Sequence, residues 1–317
     1  MKLPSLGEIE AASEIVYKSI QASPQISWPI LNERAGTELW IKHENHNPTG
    51  SFKVRGGLIY VERLRERLPD CPGICCATRG NHGQSVAFAA RQHGLSTTIV
   101  VPEGNSSIKN QAMRALGAEL LVYGRDFDAA LEYCQDIATR RGLYFVPSID
   151  TGLIPGVATY ALEFFRSVPQ LDRIYVPIGL GSGICGVIAA KHALGLTTEI
   201  VGVVASNANT YQLSFAAGRA VPTNSADTIA DGLAVRKPSL EALKLMEAEL
   251  TTIIAVDEEE ILQAIRYYFL DTHNVAEGAG AAALAAALKD ETKPGQRLGV
   301  VLSGSNIDCE LFCSALL

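Results

Sequence analysis

The sequence has no excess of positive charge, no long apolar run and no apolar amino-terminal leader. Its 317 residues carry 27 Lys and Arg against 34 Asp and Glu, a net charge of −7. A phosphate-backbone partner needs clustered positive charge, so this balance argues against one. The Ala-rich stretch Gly278 to Leu288 falls short of the ~18 residues that a membrane span needs, and the segment Met1 to Glu8 lacks the apolar centre of a signal peptide. These absences predict a cytoplasmic protein without a nucleic-acid or membrane partner.

The cysteines are odd in number and thinly spread along the chain. The seven cysteines are Cys71, Cys75, Cys76, Cys134, Cys185, Cys309 and Cys313. This pattern does not suggest a disulfide framework. No second Cys/His pair at zinc spacing follows Cys71 to Cys76, and the group His43 to His46 does not match the helical zinc motif. We therefore expect reduced thiols that pack as small buried apolar residues.

What the sequence does contain is an alternation of strand-like and helix-like segments. Its length suggests about two domains, and its 47% hydrophobic residues can build a large core. Strands that alternate with helices of ~10–15 residues are typical of parallel sheets with helices on both faces. The sequence therefore predicts an α/β protein with two such domains. The polar stretch Val221 to Thr228 predicts a long surface loop.

Periodicity and stop signals place the elements in two series. The first series has predicted strands at 73–77, 97–101, 119–123 and 144–146 and predicted helices at 81–93, 106–116 and 126–140. The second has predicted strands at 173–178, 199–204 and 297–302 and predicted helices at 156–167, 182–194, 258–271 and 278–289.

The first candidate functional residue is Lys53, which follows a Pro/Gly turn and lies between Phe52 and Val54. A desolvated lysine has a lowered pKa and becomes a nucleophile for Schiff-base chemistry. Alternatively, Lys53 and Arg55 share the solvated face of a strand. The local sequence leaves both interpretations open.

The second candidate is the segment Thr78 to Gln84, which lies between a predicted strand and the helix after it. Backbone N–H groups at a helix N-terminus bind anions, and Gly80 and Gly83 allow close approach of a ligand. Alternatively, Asn81 is an ordinary helix cap and His82 a surface histidine. On the local sequence alone, this second interpretation is favoured.

The third candidate is the glycine-rich run Gly179 to Gly186, which follows a predicted strand and opens a helix. Such a run can surround a phosphate with N–H groups. Residues 181–186 fit the dinucleotide fingerprint, which also requires an acidic residue about 20 positions on. The next strand ends at Val203 to Asn207 without Asp or Glu. The run therefore indicates a monophosphate site rather than a nicotinamide site, while glycines for tight helix packing are the structural alternative.

The fourth candidate is Ser303, which follows the last predicted strand. Ligands of open α/β sheets bind beyond the carboxyl ends of strands. A serine hydroxyl offers one neutral hydrogen bond there, although Ser303 by itself cannot be distinguished from a turn residue.

Taken together and in this order, the motifs resemble the fold-type II pyridoxal-phosphate enzymes, in particular the serine/threonine dehydratase and serine racemase group. The resemblance runs from about Glu8 to Asp308, and the motifs at 48–56, 80–84 and 179–183 are nearly intact. It implies pyridoxal 5'-phosphate as cofactor and a tryptophan synthase β-like fold. This fold has two open twisted sheets with flanking helices and an active site in the interdomain cleft. The implied domains are a large one of residues 1–72 and 150–317 and a small mobile one of residues 73–149.

The resemblance also implies roles for individual residues. Lys53 would hold the cofactor and later move the proton on Cα of the substrate, and Phe52 would pack near the cofactor ring. Asn81 would donate to the phenolic oxygen, Ser303 would face the pyridine nitrogen, and Glu277 matches a family glutamate near the cofactor. The phosphate would be cradled by Gly179, Leu180, Gly181, Ser182 and Gly183. The substrate carboxylate would be bound by the segment comprising Thr78, Arg79, Gly80, Asn81 and His82.

The implied reaction is β-elimination from a 3-hydroxy amino acid, which yields a 2-oxo acid and ammonia. Threonine or serine is the expected substrate, and a bulkier or acidic relative such as phenylserine or 3-hydroxyaspartate is the variant. A neutral Ser303 at the pyridine nitrogen favours prompt elimination, because it does not force that nitrogen to stay protonated.

The chain departs from the family at three places. Arg79 stands where the family usually has Ser or Ala, and a guanidinium that is always protonated cannot replace the acid–base serine of racemases. We therefore expect weak or absent racemase activity. Val204 and Thr210 stand where many relatives carry the carboxylates of a divalent-cation site, so we expect no metal. Residues 156–159 depart from the usual Gly-Gln-Gly-Thr, which leaves the substrate open.

Three rival functions remain at this stage: an amino-acid racemase of the same family, a nicotinamide oxidoreductase, and a catalytically silent pyridoxal-phosphate-binding protein. Relatives are often dimers, so a homodimer is an open expectation. The chain ends eleven residues past Asn306. We therefore expect a catalytic core without the carboxy-terminal regulatory domain of biosynthetic threonine dehydratases.

Overall fold

A computed structural model describes residues 2–168, 170–291, 293 and 295–317. The helices are α1 (Leu6–Val16), α2 (Pro29–Ala35), α3 (Lys53–Arg67), α4 (Asn81–Gln92), α5 (Ser107–Ala115), α6 (Phe127–Arg141), α7 (Ile154–Ser167), α8 (Ser182–Leu194), α9 (Thr210–Ala217), α10 (Leu240–Glu249), α11 (Glu258–Thr272), α12 (Gly278–Lys289) and α13 (Cys309–Leu316). The strands are β1 (Gln25–Ser27), β2 (Glu38–His43), β3 (Ile74–Ala77), β4 (Thr97–Val101), β5 (Glu119–Val122), β6 (Tyr144–Phe145), β7 (Arg173–Pro177), β8 (Glu199–Ala205), β9 (Thr252–Val256) and β10 (Arg297–Leu302).

The larger sheet has six strands in the order β1-β2-β10-β7-β8-β9, all parallel except β1. Its central strand β10 carries Val300, Val301 and Leu302 in succession, all fully or nearly fully buried. A continuous apolar run is expected where helices cover both faces of a parallel sheet. Val301 packs with α7 and α8, whereas Val300 and Leu302 pack with α11 and α12.

The smaller sheet has four parallel strands in the order β5-β4-β3-β6. One face packs against α1, α3 and α4, and the other against α6. Helix α3 also packs against α7 of the larger layer, so the two sheets share a common helical wall. The α/β class with two sheets and flanking helices is confirmed. The domain boundaries at 73 and 149 stay a prediction.

Most predicted elements lie within two residues of the observed ones, and three expectations need correction. The strand interpretation of Lys53 is wrong, because Lys53 begins α3. Helix α7 begins at Ile154 rather than Gly156, since Pro155 is accepted in the first turn. The thiols of Cys309 and Cys313 are exposed, so the expectation of buried cysteines fails for α13.

The stretch Val221 to Thr228 contains no helix or strand, as predicted. Its end also lines a cavity between the sheets, so it is more than a surface connection. Across the ranges that the model describes, no helix is both long and apolar enough to span a bilayer.

Candidate active site

A cavity of about 450 Å³ lies between the two sheets, where β3, β7 and β10 end. Carboxyl ends of parallel strands meet at one edge of a sheet, so residues that follow them come together. All fourteen residues assigned to the site from the sequence line this cavity. They are Phe52, Lys53, Thr78, Arg79, Gly80, Asn81, His82, Gly179, Leu180, Gly181, Ser182, Gly183, Glu277 and Ser303.

Lys53 is the first residue of α3, and its amine lies within the cavity wall. Burial lowers the pKa of Lys53 to about 8, so a large share of the amine is neutral near that pH. The Nζ atom donates a hydrogen bond to Ser182 Oγ over 2.9 Å. It also lies 5.1 Å from the centre of the Phe52 ring. This environment suits an amine nucleophile.

The loop from Gly179 to Gly183 joins β7 to α8 and forms the opposite wall. Two buried tyrosines hold its carbonyl groups: Tyr211 donates to Leu180 O over 2.8 Å and Tyr160 to Gly183 O over 3.0 Å. The N–H groups at the start of α8 are then available for an anion.

Gly181 gives this loop its shape, because its φ is +108°. A Cβ atom there would lie 2.9 Å from Ala242 Cβ and 3.0 Å from Met246 Cε. Backbone conformation and available space therefore both require glycine at this position.

The segment from Thr78 to His82 links β3 to α4. Thr78 Oγ1 accepts from the N–H groups of Gly80 and Gly83, at 2.9 and 3.4 Å. Gly80, not Asn81, is the helix cap. His82 is 6% exposed, so its interpretation as a surface histidine is wrong.

The Asn81 side chain lies between two residues of the larger layer. Its Nδ2 donates to Glu277 Oε1, and its Oδ1 accepts from Asn306 Nδ2 over 2.9 Å. These contacts fix the orientation of the Asn81 amide at the cavity wall. Its contact with the cofactor stays a prediction.

Lys109 is a wall residue that the sequence analysis missed. Its Nζ lies 3.2 Å from Glu277 Oε2 and 3.3 Å from Asp231 Oδ2. Burial opposes the charge on Lys109, but these two carboxylates raise its pKa above the ordinary value. Arg79 adds a second cation, with its Nη2 3.2 Å from Asp231 Oδ1. No local signal reveals this cluster, because its members lie far apart in the sequence.

Ser303 follows β10 and is 5% exposed. Its hydroxyl donates a long hydrogen bond of 3.4 Å to Ala279 O, which leaves oxygen lone pairs directed elsewhere. The cavity wall thus combines the buried amine of Lys53, whose pKa is lowered, the loop Gly179 to Gly183, here called the glycine cup, and the neutral hydroxyl of Ser303. This donor set fits pyridoxal phosphate: Lys53 would hold its aldehyde carbon, the cup its phosphate and Ser303 its ring nitrogen.

In the part of the chain that the structure describes, no three His, Cys, Asp or Glu side chains are grouped so as to hold a metal ion. The absence of a divalent-cation site nevertheless stays a prediction.

Comparison with known proteins supplies a family model and several relatives. The model described as "Pyridoxal-phosphate dependent enzyme" matches residues 16–304. The L-threonine ammonia-lyase of Thermotoga maritima is 34% identical over 308 residues, which cover 97% of this chain and 77% of that protein. The L-threo-3-hydroxyaspartate ammonia-lyase of Saccharomyces cerevisiae is 28% identical over 318 residues, which cover 100% of this chain and 97% of that protein.

Longer relatives and solved structures extend this comparison. The chain spans 58% of the length of the biosynthetic L-threonine dehydratase IlvA of Pasteurella multocida, which is 31% identical over 300 residues and 93% of this chain. Threonine deaminase isoform 2 of Solanum lycopersicum superimposes with a TM-score of 0.91 at 30% identity, covering 98% of this chain and 86% of that one. Maize serine racemase superimposes with a TM-score of 0.92 at 25% identity, covering 99% and 97%.

Proposed function

Because the chain belongs to the family of pyridoxal-phosphate-dependent enzymes, we propose that it deaminates a 3-hydroxy amino acid. The Cα–H and Cβ–O bonds break with loss of water, and hydrolysis then releases a 2-oxo acid and ammonia. Relatives described as ammonia-lyases of threonine and 3-hydroxyaspartate support this lyase reaction. The observation that carries the proposal is the buried Lys53 amine, which faces Ser182 across a 2.9 Å hydrogen bond.

Different residues of the cavity have different roles in this reaction. When bound, pyridoxal phosphate supplies an electron sink for the negative charge that develops at Cα. Lys53 Nζ, with its pKa lowered to about 8, is matched to removing the Cα proton near neutral pH. Ser182 accepts a hydrogen bond from this amine and fixes its position. The N–H groups at the start of α8 would bind the cofactor's phosphate.

The substrate carboxylate would be held by the first turn of α4. Thr78 Oγ1 is engaged as an acceptor, so its hydroxyl proton remains free to donate. The N–H groups of Asn81 and His82 lie in the first helical turn, where they lack intrahelical acceptors. These donors favour an anionic group at the start of α4.

A panel of substrates tests the reaction. Purified holoenzyme is incubated with L-serine, L-threonine, phenylserine and L-threo-3-hydroxyaspartate, and the 2-oxo acid and ammonia are measured. We expect equal amounts of both products from at least one substrate. The absence of oxo acid from every 3-hydroxy amino acid would overturn the proposal.

The variant Lys53→Ala is the control for the role of the amine. We expect loss of turnover together with loss of the visible absorption band of the bound cofactor. A band that persists in Lys53→Ala would place the attachment at another residue. The homodimer and the cytoplasmic location expected from the sequence stay predictions.

A further inference from the structure

Asn306 is a half-buried polar residue to which the proposed function assigns no role. It follows Ser303 after β10, and its segment runs beside the turn at the start of α3. The N–H of Phe52 donates to Ser303 O over 3.1 Å, and the N–H of Ser305 donates to Gly50 O over 2.9 Å. These backbone bonds fix the position from which the Asn306 side chain extends.

The side chain of Asn306 occupies space that Gly50 leaves open. Gly50 has a positive φ of +65°, and a Cβ atom there would lie 2.7 Å from Asn306 Oδ1 and 3.0 Å from Asn306 Nδ2. A side chain at position 50 would therefore push against the Asn306 amide. The amide is thus built into the turn that leads to Lys53.

The hydrogen bonds of Asn306 have a fixed direction. Its Nδ2 donates to Thr49 O over 2.8 Å and to Asn81 Oδ1 over 2.9 Å. A backbone carbonyl can only accept, so the amide nitrogen, and not the amide oxygen, must face Thr49. Both hydrogens of Asn306 Nδ2 are then used, one on the turn before Lys53 and one on Asn81.

The orientation of the Asn81 amide follows from these bonds. Its Oδ1 accepts from Asn306, so its Nδ2 is the atom that faces Glu277, to whose Oε1 it donates. Glu277 is also ion-paired with Lys109 at 3.2 Å, and a carboxylate in an ion pair only accepts. An amide nitrogen carries two N–H groups, and Glu277 takes one of them. The other is left for a ligand of the cavity that Asn81 lines.

We infer that Asn306 is a positioning residue, which orients the Asn81 amide so that it donates to the phenolic oxygen of pyridoxal phosphate. The inference rests on the proposed function for the cofactor alone and not for the amino-acid substrate. In pyridoxal phosphate, the phenolic oxygen and the phosphate arm flank the aldehyde carbon on opposite sides. With that carbon at Lys53 and the phosphate in the glycine cup, the oxygen would lie beside Lys53 and away from the cup. Through Asn306, Asn81 is bonded to the turn that leads to Lys53, which makes its free N–H the donor for this oxygen.

Without the Asn306 amide, the Asn81 side chain would be held by Glu277 alone. A single hydrogen bond lets an amide turn about the contact, so fewer molecules would offer an N–H to the phenolic oxygen. A loss of this kind depends on the oxygen and on Asn81, whereas general damage to the site does not.

Cofactor binding tests the inference without an amino-acid substrate. Apoprotein is titrated with pyridoxal phosphate and with 3-deoxypyridoxal 5'-phosphate, which lacks the phenolic oxygen. Asn306→Ala removes the amide, and Asn306→Leu removes it but keeps a branched side chain of similar size. Ser305→Ala is the matched control, because the Ser305 hydroxyl has only long contacts of 3.5 Å, to Asn45 O and Gly50 O. Circular dichroism checks that each apoprotein is folded.

We expect both Asn306 variants to weaken the affinity for pyridoxal phosphate about tenfold, the value of one hydrogen bond. Their affinity for the deoxy compound should change by less than about twofold. Asn81→Ala should have the same selective effect. Because Asn306 acts through Asn81, the double variant Asn81→Ala/Asn306→Ala should lose no more than Asn81→Ala alone. Ser305→Ala should change neither affinity by more than about twofold.

Equal losses for both compounds in the Asn306 variants would show a merely structural role and overturn the inference. Additive losses in the double variant, or a loss in Ser305→Ala as large as in Asn306→Ala, would overturn it too. These titrations involve no turnover. If the selective loss is observed but the substrate panel releases no oxo acid, only the proposed reaction fails.

Discussion

At the scale of single residues, Arg79 is the departure from the family with the clearest chemical consequence. Its guanidinium pairs with Asp231 over 3.2 Å, and a guanidinium has hydrogen-bond donors but no acceptor. In the proposed reaction Lys53 is the acid–base group for Cα, and a guanidinium at the Arg79 position offers no second group that could accept the proton. This favours elimination over racemisation.

Replacing Arg79 by serine tests this argument. We expect wild-type protein to form no more than a trace of D-serine from L-serine, and Arg79→Ser to raise this rate about 10²-fold, the lower range for a positioned acid–base group. Chiral chromatography of the amino acids measures the effect. Arg79→Ala, which removes the cation without adding a hydroxyl, is the matched control. Racemisation by the wild-type protein as fast as deamination would contradict the prediction.

The sequence identified the residues of the site better than it identified their states. Lys53, Ser303 and the glycine cup line one cavity as expected, because each follows a turn or the end of a strand. The neutral ring of His82 and the ion pairs of Lys109 escaped the sequence analysis. The partners of Lys109, Asp231 and Glu277, come from other segments.

At the scale of elements, the turn that opens α8 depends on the left-handed conformation of Gly181, φ +108°. In Gly181→Ala, strain of about 1–3 kcal/mol should weaken cofactor affinity about five- to a hundredfold. Titration of the apoprotein with pyridoxal phosphate measures the affinity.

Gly195→Ala is the matched control, because Gly195 caps the far end of the same helix. It also has a positive φ, +64°, but open space around it. We expect Gly195→Ala to lower stability while leaving cofactor affinity unchanged. Similar affinity losses in both variants would show that backbone strain alone, and not the cup, explains the effect.

The first turn of α3, which carries Lys53, is anchored by a buried ion network. Arg55 Nε lies 2.7 Å from Glu44 Oε2, and Arg55 Nη1 lies 2.6 Å from Glu163 Oε1. Lys42 completes the network with a 2.5 Å contact to Glu163. Two cations and two carboxylates balance each other, so removal of one leaves an uncompensated buried charge.

Arg55→Leu should lower the free energy of unfolding by about 3–5 kcal/mol, measured by urea denaturation. Arg166→Leu breaks an ion pair with Glu10 whose side chains are 49% and 47% exposed, so it should change stability by less than about 1 kcal/mol. A cost for Arg55→Leu no larger than that of the surface control would contradict this account of α3.

At the scale of the whole molecule, two buried histidines link folding to pH. Burial lowers the pKa of His43 to about 4 and that of His82 to about 3, against about 6.5 in an unfolded chain. Below pH ~6.5 the unfolded chain therefore binds more protons than the folded one. Their contribution to stability is full above this pH and decreases as pH falls towards 4.

Over this range, each histidine should lower the free energy of unfolding by about 1.4 kcal/mol for every unit by which the pH falls. Urea midpoints of the holoenzyme at about pH 7.5 and pH 5 measure it. The indole N–H of Trp28 donates to His43 Nε2 over 3.0 Å, and His43→Gln retains an acceptor for it. This variant should remove roughly half of the pH dependence of stability. A wild-type midpoint that does not change over this range would contradict the prediction.

The sequence by itself determined the alternation of strands and helices, the α/β class and fourteen of the residues that line the cavity. It could do so because parallel strands bring their carboxyl ends to one edge, and the motifs follow β3, β7 and β10. It failed to distinguish helix from strand at Lys53, since a short segment has no clear period.

Only the tertiary structure decided which charges are paired and which titratable groups are neutral. Lys109 acquires its partners Asp231 and Glu277, and His82 becomes buried, only once distant segments pack together. Burial and the nearest opposite charge set the pKa of such groups, and neither quantity exists until the chain is folded.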